Sequence, residues 1–562
     1  WCHVMAHESF EDPETAAFVN ARFVCVKVDR EERPDVDAIY MEATQAMTGR
    51  GGWPMSVWMT PDSQPFYCGT YFPREARGGM PSFTQVCGAL ADAWSDKRDD
   101  ITAQASRITE HIRRAPGLGD QAVLPGTDVL DAAASGLLAA HDPEWGGFGR
   151  APKFPHSMAI DLLLRHHLRV GSQLPLHAAL RSLDAMAAGG IYDHLGGGFA
   201  RYSVDDRWLV PHFEKMLYDN ALLVRPYLHA WQLTGRADLL QVVDETIGYV
   251  LGDLAIPGGG WASAEDADSE GEEGRFYVWS LSEVREVAPA AIEWYGVTEG
   301  GNFEGSNILH RPIGDLLRSP EVEAARAALF ERRCGRVRPG LDDKVLTEWN
   351  ALMLASLAEA AAATGRADWL AAAVGNAEFL CAELRRDDGR WMRSWQADAD
   401  RPRHLAYAAD LAAILDAFTV LGEATGRRRW VEEAATVAHQ LLGLFGDPDQ
   451  PGFFTTGSDA EALITRPKDL QDGATPSAQT TAATALLRLS ALTGEDRWRD
   501  PALGILRLLG PVSAEHPLAF ANLTAAIELE AVGTTEVVVV GDRSDLVTEM
   551  WRPWLPTAVR SW

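Results

Sequence analysis

Asn220-Ala221-Leu222 opens and Thr234-Gly235-Arg236 closes a helical stretch, and Asn350-Ala351-Leu352 with Thr364-Gly365-Arg366 repeats it. In both copies the glycine lies 15 residues after the asparagine, and the copies are 130 residues apart. A polar residue, a helix of about four turns and a glycine turn therefore form a unit. The same kind of turn recurs at Thr425-Gly426-Arg427 and Thr493-Gly494-Glu495, with a plainer one at Val170-Gly171-Ser172. With Gly296 added, the glycines at 171, 235, 296, 365, 426 and 494 give steps of 64, 61, 69, 61 and 68. Six repeats of that length, each an outer and an inner helix, predict a closed ring of helical hairpins.

Composition agrees with a large globular chain. Of 562 residues, 46% are hydrophobic and 23% charged, so a sizeable core can be buried. A net charge of −29 argues against nucleic acid or an anionic membrane as partner. No apolar run reaches the length of a membrane-spanning helix. Six cysteines spread over so long a chain do not form a disulfide framework, and a cytoplasmic location is expected. The chain begins at Trp1 rather than Met, so an upstream segment is expected. Nineteen tryptophans suit a large core and also aromatic walls for a sugar.

The first 115 residues have a different grammar. An amphipathic stretch runs from Cys2 to Asn20, and Phe23 to Asp29 is expected as a buried strand. Pro34 and Asp35 open a helix to about Thr48. Met55 to Met59 pairs with Gln64 to Gly69 across a turn, and Ser82 to Lys97 is expected as the last helix. Trp-Cys-His-Val-Met at 1–5, Val28 to Asp35, Gly51-Gly52-Trp53-Pro54 and Gly69-Thr70-Tyr71-Phe72-Pro73 resemble the thioredoxin-like domain of the spermatogenesis-associated protein 20 family. The resemblance implies that Cys2 is the second cysteine of a Cys-x-x-Cys motif and that Pro54 is the cis-proline facing it. The first cysteine and the leading strands then lie outside this chain, and the domain is partial. Dithiol exchange needs the first cysteine, whose place at a helix N-terminus lowers a thiol pKa.

After a linker at Gly117 to Gly126 the ring begins. The residue 15 or 16 before the turn glycine is polar in five repeats: His156, Asn220, Asn350, Asp410 and Gln479. These positions start the inner helices, where unpaired backbone N–H groups favour polar and anionic side chains. Capping explains much of that pattern, but in a ring such ends also converge on a central mouth. Glycine–aromatic segments, among them 142–148, 193–199, 257–261, 387–391 and 449–454, read as hairpin loops on one face of the ring. Three constellations stand out. In Pro211 to Asn220, helical spacing puts His212, Lys215 and Asp219 on one face. Ser263 to Gly274 is a dense acidic loop without EF-hand spacing, so no metal is expected. Asp342-Asp343-Lys344 before Thr347-Glu348-Trp349-Asn350 repeats the lysine–acid–asparagine theme, and Asp472 occupies the same zone in the last repeat.

Lys153-Phe-Pro-His156, Gly196-Gly-Gly-Phe199, the 211–220 and 264–268 stretches and Asp343-Lys344 resemble the same family, and six hairpins in a ring resemble the six-hairpin glycosidase and N-acylglucosamine 2-epimerase architecture. The expected fold is mostly α: an (α/α)6 toroid at 116–533, preceded by a partial thioredoxin-like α/β domain at 1–115 and followed by a βα appendage at 534–562. The resemblance implies a redox module joined to a ring that binds or transforms a carbohydrate. The alternative is a thiol–disulfide protein whose ring holds a ligand or client without catalysis. An epimerase would use histidines as acid and base, with His156, His194 and His212 as candidates. A hydrolase would use two carboxylates, drawn from Glu265, Asp266, Asp343 and Glu348, with Asp219 beside them. Lys215, Asn220, Lys344, Asn350, Asp410 and Asp472 are expected to bind substrate, and Cys2 and Pro54 to serve redox chemistry. A small molecule, with sugar the favoured class, and a thiol client are the expected partners. No cofactor is expected.

Overall fold

The computed structural model describes residues 2–113, 123–312, 316–399 and 401–562. The chain divides into two compact units, Trp1–Gly117 with Phe454–Lys468, and Leu118–Phe453 with Asp469–Trp562. Most of the expected linker, residues 117–122, lies outside the described residues.

In the first unit, α1 (Cys2–Met5) leads through a π-turn into α2 (Pro13–Asn20), where the Asp12 carboxylate accepts from the Thr15 N–H at 2.9 Å. Helix α3 (Pro34–Thr48) starts on a proline and stops at Gly49, whose φ of 75° ends the helix. Strands β1 (Ser56–Met59) and β2 (Pro65–Gly69) form an antiparallel hairpin. Ser82 and Gln85 make a reciprocal cap for α4 (Phe83–Asp96). The Trp53–Pro54 peptide bond is cis, as the family resemblance implies. Two expectations fail. Phe23 to Asp29 is not a strand, and Val24 is 95% exposed. A strand exists only through pairing, and among the described residues β1 and β2 pair with each other alone. Nor is α4 the last helix, because α5 (Arg98–Arg113) follows. Its apolar stripe, Ile101, Ala105, Ile108 and Ile112, is hidden in sequence by the charges between.

The second unit is the toroid. Helix α6 (Thr127–Ala140) precedes the hairpin α7 (Ser157–Val170) and α8 (Gln173–Ala188). Short strands β3 (Tyr202–Ser203), β4 (Pro211–His212) and β5 (Lys215–Met216) lead to α9 (Leu217–Thr234) and α10 (Ala237–Asp253). An insertion carries β6 (Ala264–Glu265), β7 (Asp268–Ser269), β8 (Glu272–Glu273), α11 (Leu281–Val287), α12 (Ala291–Trp294), α13 (Pro320–Cys334), β9 (Leu341–Asp342) and β10 (Val345–Leu346). Then come α14 (Thr347–Thr364) and α15 (Ala367–Glu383), the strands β11 (Met392–Trp395) and β12 (Arg403–Leu405), and α16 (Ala408–Thr425) with α17 (Arg428–Phe445). Helices α18 (Ala478–Thr493), α19 (Arg499–Ser513) and α20 (Leu523–Val532) complete the ring.

Helices α7, α9, α14, α16, α18 and α20 pack in that order as the inner ring, and the Arg165–Glu528 ion pair at 3.2 Å joins α7 to α20. The turn glycines 171, 235, 365, 426 and 494 are all left-handed, with φ between 63° and 72°. Gly296 is left-handed as well, with φ of 62°, but it follows α12 inside the insertion and closes no hairpin of the ring. The sixth pair instead joins α20 to α6, from opposite ends of the unit. The repeat was miscounted because near-equal spacing in sequence does not distinguish an insertion from a hairpin.

The far end of the bore is closed by charge and by the C-terminal segment. His229 lies 2.7 Å from Asp161 and 3.0 Å from Glu359, linking α9 to α7 and α14. Trp554 stacks on His229 with centroids 4.2 Å apart. The expected βα appendage is larger by a strand: β13 (Thr535–Val538), α21 (Ser544–Trp551) and β14 (Ala558–Ser561), with β13 and β14 parallel. It packs on the ring core through Met550, Trp551 and Trp554. The open mouth is therefore at the N-terminal ends of the inner helices.

Those ends are held by an amide clamp. Asn220 accepts from the Phe199 N–H at 2.7 Å and donates back to the Phe199 carbonyl at 3.2 Å. Asn350 does the same to Trp261 at 2.9 and 2.9 Å, and Gln479 to Phe453 at 2.9 and 2.7 Å. Each clamp pins the aromatic that ends a glycine-rich loop. Gly198 must be glycine there, since its φ is 79° and a Cβ would meet the Tyr249 ring at 2.6 Å. Replacing Asn350 with Ala leaves the buried Trp261 backbone groups without partners. We expect Asn350→Ala to cost about 2–3 kcal/mol, read as a lower urea midpoint with an unchanged slope.

Candidate functional site

The mouth is built from the first turns of the inner helices. Asp219 is the third residue of α9, Glu348 the second of α14 and Asp410 the third of α16. Carboxylates are favoured at such ends by the unpaired N–H groups and the helix dipole. Arg393, on β11, donates to Glu348 at 2.9 Å and to Asp410 at 2.7 Å, tying α14 to α16. Asp410 also accepts from the Glu348 and Tyr407 N–H groups at 2.9 and 2.8 Å. Burial raises its pKa, against the pull of Arg393.

Asp472 accepts from Thr480 at 2.6 Å and from the Ser477 and Asn522 N–H groups at 3.0 and 2.9 Å. Burial still pushes it up to about 6. Asp469 also rises to about 6, first through burial and then through the charges of Asp472 and Glu348. Yet Asp469 is exposed to solvent. The charges of Asp472 and Glu348 act on Asp469, so it lies near two carboxylates at the inner-helix ends. The repeat pattern missed it because it precedes the helix rather than starting it.

The best-formed arc of the mouth surrounds Asp219. Exposed Phe154 lies against Tyr202 with centroids 5.0 Å apart, and Tyr202 stacks on His212 at 5.0 Å. His212 is 3.5 Å from Glu214, which is 3.7 Å from Arg201. Burial, with Glu214 adding to it, raises the Asp219 pKa well above the usual carboxylate range, although Arg201 opposes the shift. Asp219 Oδ2 and Arg201 Nε are both buried without a hydrogen-bond partner among the described residues.

The expected face of His212, Lys215 and Asp219 does not exist. Residues 211–216 are two short strands with irregular chain between them, and α9 starts only at Leu217, so helical spacing does not apply. Lys215 points away into a side cleft with Asp193 and Arg333. The three candidate histidines are held apart by different partners. His156 caps the start of α7 with φ of 46° against Phe148, and burial lowers its pKa. His194 lines the side cleft, donates from Nε2 to the Gly189 carbonyl at 2.9 Å and is pushed down to about 3 by burial. For His212 burial opposes the charge, but hydrogen bonds to Glu214 and Glu273 override it and lift it to about 9. An imidazolium at neutral pH is a poor base.

Several other candidates are committed to the fold. Glu265 is buried, with Arg338 Nε at 2.5 Å and the hydroxyls of Tyr249 and Tyr277 at 3.3 and 3.2 Å. Asp266 accepts from the Ala267 N–H at 2.7 Å, Asp343 from Gln396 at 3.0 Å, and Lys344 pairs with Asp342 at 3.1 Å. Asn220 and Asn350 are fully buried in the clamps described above. Among the described residues no group of three or more His, Cys, Asp or Glu side chains is placed to hold a metal. Also among them, no helix is long and apolar enough to cross a membrane. In the first unit Cys2 is exposed, whereas burial pushes the thiols of Cys68 and Cys87 up to about 11.

Fold and mouth define the class: a thioredoxin-like unit joined to a ring of six helical hairpins. The family model Thioredox_DsbH, described as "Protein of unknown function, DUF255", matches residues 1–113. Spermatogenesis-associated protein 20 of Homo sapiens is 35% identical, over 97% of this chain and 76% of its own length. The Mus musculus protein is 34% identical, over 96% and 76%. An uncharacterized Caenorhabditis elegans protein is 31% identical, over 98% and 82%. The chain belongs to the spermatogenesis-associated protein 20 family. Among solved structures, a sugar epimerase from a ruminal bacterium covers 68% of this chain and 85% of its own, at 12% identity and a TM-score of 0.47. Cellobiose 2-epimerase from Spirochaeta thermophila covers 68% and 82%, at 16% identity and 0.44. Likeness of that degree is too loose to carry a function.

Proposed function

We propose that the toroid binds a carbohydrate at its mouth and transforms it by proton transfer from Asp219. The observation that carries this is Asp219 itself. A carboxyl whose pKa burial raises well above the ordinary carboxylate range, with one oxygen unpartnered among the described residues, has the form of a general acid awaiting a ligand. The exposed Phe154 ring, continued by Tyr202 and the His212 imidazolium, offers a face on which a sugar ring can stack. Glu348, anchored by Arg393, supplies a second carboxylate from the next inner helix. An acid and a separate carboxylate suit either hydrolysis of a glycosidic bond or proton transfer beside a carbonyl.

A thermal-shift screen of the protein against mono- and disaccharides tests the binding step. One class of sugar is expected to raise the melting temperature of the wild type, and Asp219→Asn or Phe154→Ala to weaken that shift about tenfold in midpoint concentration, roughly 1.4 kcal/mol. No shift by any sugar would remove the reading.

A second reading has its own support in the thioredoxin-like match and in Cys2, exposed at the first residue of α1. It makes the protein a thiol–disulfide module whose ring holds a client without turnover. In the full-length protein, mixed disulfides that accumulate in Cys2→Ser would favour it, and no trapped partner would count against it.

A further inference from the structure

The far end of the bore holds a histidine that the mouth chemistry does not use. His229 on α9 is 3% exposed, and both of its ring nitrogens face carboxylates. Nδ1 is 2.7 Å from Asp161 Oδ1 on α7, and Nε2 is 3.0 Å from Glu359 Oε1 on α14. A neutral imidazole has one N–H and one lone pair, so it would set a lone pair against one of those oxygens. Both carboxylates are ionised. Against burial, Arg165 and His229 hold Asp161 far below the usual carboxylate range, and His229 and Arg225 do the same for Glu359. His229 is therefore an imidazolium, with a proton for each acceptor. Burial opposes that charge, but Glu359 and Asp161 override it and raise the His229 pKa above its ordinary value.

The C-terminal segment lies on this cation. Trp554 stacks on the His229 ring with centroids 4.2 Å apart and planes 15° apart, and the Arg165 guanidinium is 5.5 Å from the same indole. A π face is attracted to a cation, more so where water is excluded, and Trp554 is 5% exposed. The other charges around His229 are committed. Arg165 pairs with Asp161 and Glu528, and Arg225 with Glu359 and Asp416. On α10, which also packs on α9, Asp238, Asp244 and Asp253 pair with Arg236, Arg366 and Arg338, and Glu245 pairs with Arg318. Within the segment Glu549 pairs with Arg552 and Asp545 with Arg543. The segment leaves α20 at Gly533, whose φ of 95° and open surroundings make a joint.

We infer that the C-terminal segment is a pH-sensitive latch on the far end of the ring, held closed by the stack of Trp554 on protonated His229. Loss of the ring proton to solvent removes the cation beneath the indole and turns a nitrogen lone pair toward a carboxylate. A histidine whose folded pKa exceeds its unfolded value gives a hold that is complete below the unfolded pKa and is lost as pH rises through the folded one. The segment therefore lifts more readily on the alkaline side and opens the far end of the bore. The inference is independent of the carbohydrate reading of the mouth.

Amide hydrogen exchange of the protein, corrected for its intrinsic dependence on pH, tests the latch. Protection of residues 550–562 is expected to fall about tenfold from pH 6 to pH 9, the effect of one pKa unit of coupling, while that of the outer helix α8 holds. Exchange at the imidazole Cε1 position of His229, followed in the same samples, is expected to titrate over the pH range in which protection is lost. Trp554→Leu keeps an apolar cover without the π face, so its segment protection is lower at pH 6 and no longer changes with pH. Wild-type protection that pH leaves unchanged, or that falls outside the range in which His229 titrates, would overturn the inference without any variant. A leucine variant that keeps the full wild-type response would overturn it as well.

Discussion

Asp193→Asn is expected to lower the stability of the toroid by about 3–5 kcal/mol, one of the two largest losses predicted here. The carboxylate lies in the loop after α8 and is buried with Lys215 and Arg333. Burial opposes its charge, but Arg333 and Lys215 together hold it well below the usual carboxylate range. Its Oδ1 also accepts from the Leu195 and Gly196 N–H groups at 3.0 and 3.1 Å, so one side chain fixes both the loop and the two cations. An amide in its place leaves two buried positive charges facing each other. Burial already lowers the Lys215 pKa, so Lys215 is the group that yields by losing its proton. Urea denaturation of Asp193→Asn, Lys215→Met and the double variant measures this. The double variant should lose less than the sum of the two, because removing the lysine removes the repulsion. Additive losses would show that the three groups do not act as a unit.

Arg393→Met carries the second large effect, again about 3–5 kcal/mol near pH 8, and this loss depends on pH. Without the guanidinium, Glu348 and Asp410 remain adjacent and buried with no cation between them. Burial already holds the Asp410 pKa above its ordinary value, and removal of Arg393 takes away the main opposing influence. A carboxyl whose folded pKa exceeds its unfolded value favours folding fully below the unfolded pKa and loses that contribution as pH rises through the folded one. The variant should therefore be closest to wild type near pH 5 and furthest from it near pH 8. Parallel denaturation curves at the two pH values decide the matter, and a loss independent of pH would contradict the coupling.

The ring was legible in the sequence because a helical hairpin needs a left-handed stop, and Gly171, Gly235, Gly365, Gly426 and Gly494 supply it at steps of 64, 130, 61 and 68 residues, the long step being the one that holds the insertion. What the spacing could not reveal was which ends of the chain meet. Helix α20 closes against α6 across the whole unit, and no local signal encodes that pairing. Polar residues at the inner-helix starts were legible too, but their work was not. Asn220 and Asn350 look like ligand-binding amides in sequence, yet each is used up on the backbone of one aromatic residue. That role depends on a glycine loop folding back onto the helix end, and for Asn350 the loop lies 89 residues earlier. The stripe at 211–219 failed for a simpler reason: helical periodicity was applied across a strand. Asp219 survived that error because it lies past the helix start. Phe23 to Asp29 shows the converse, since its apolar alternation is strand-like but pairing, not propensity, makes a strand.

The most direct test of the carbohydrate reading is proton NMR of a panel of mono- and disaccharides incubated with the protein, followed over time in the anomeric region. The account predicts new anomeric signals from one class of sugar with the wild type, from either an epimer or a released reducing end, and a rate lower by about a hundredfold or more in Asp219→Asn. Unchanged spectra for every sugar with folded protein, or equal rates in wild type and Asp219→Asn, would contradict it.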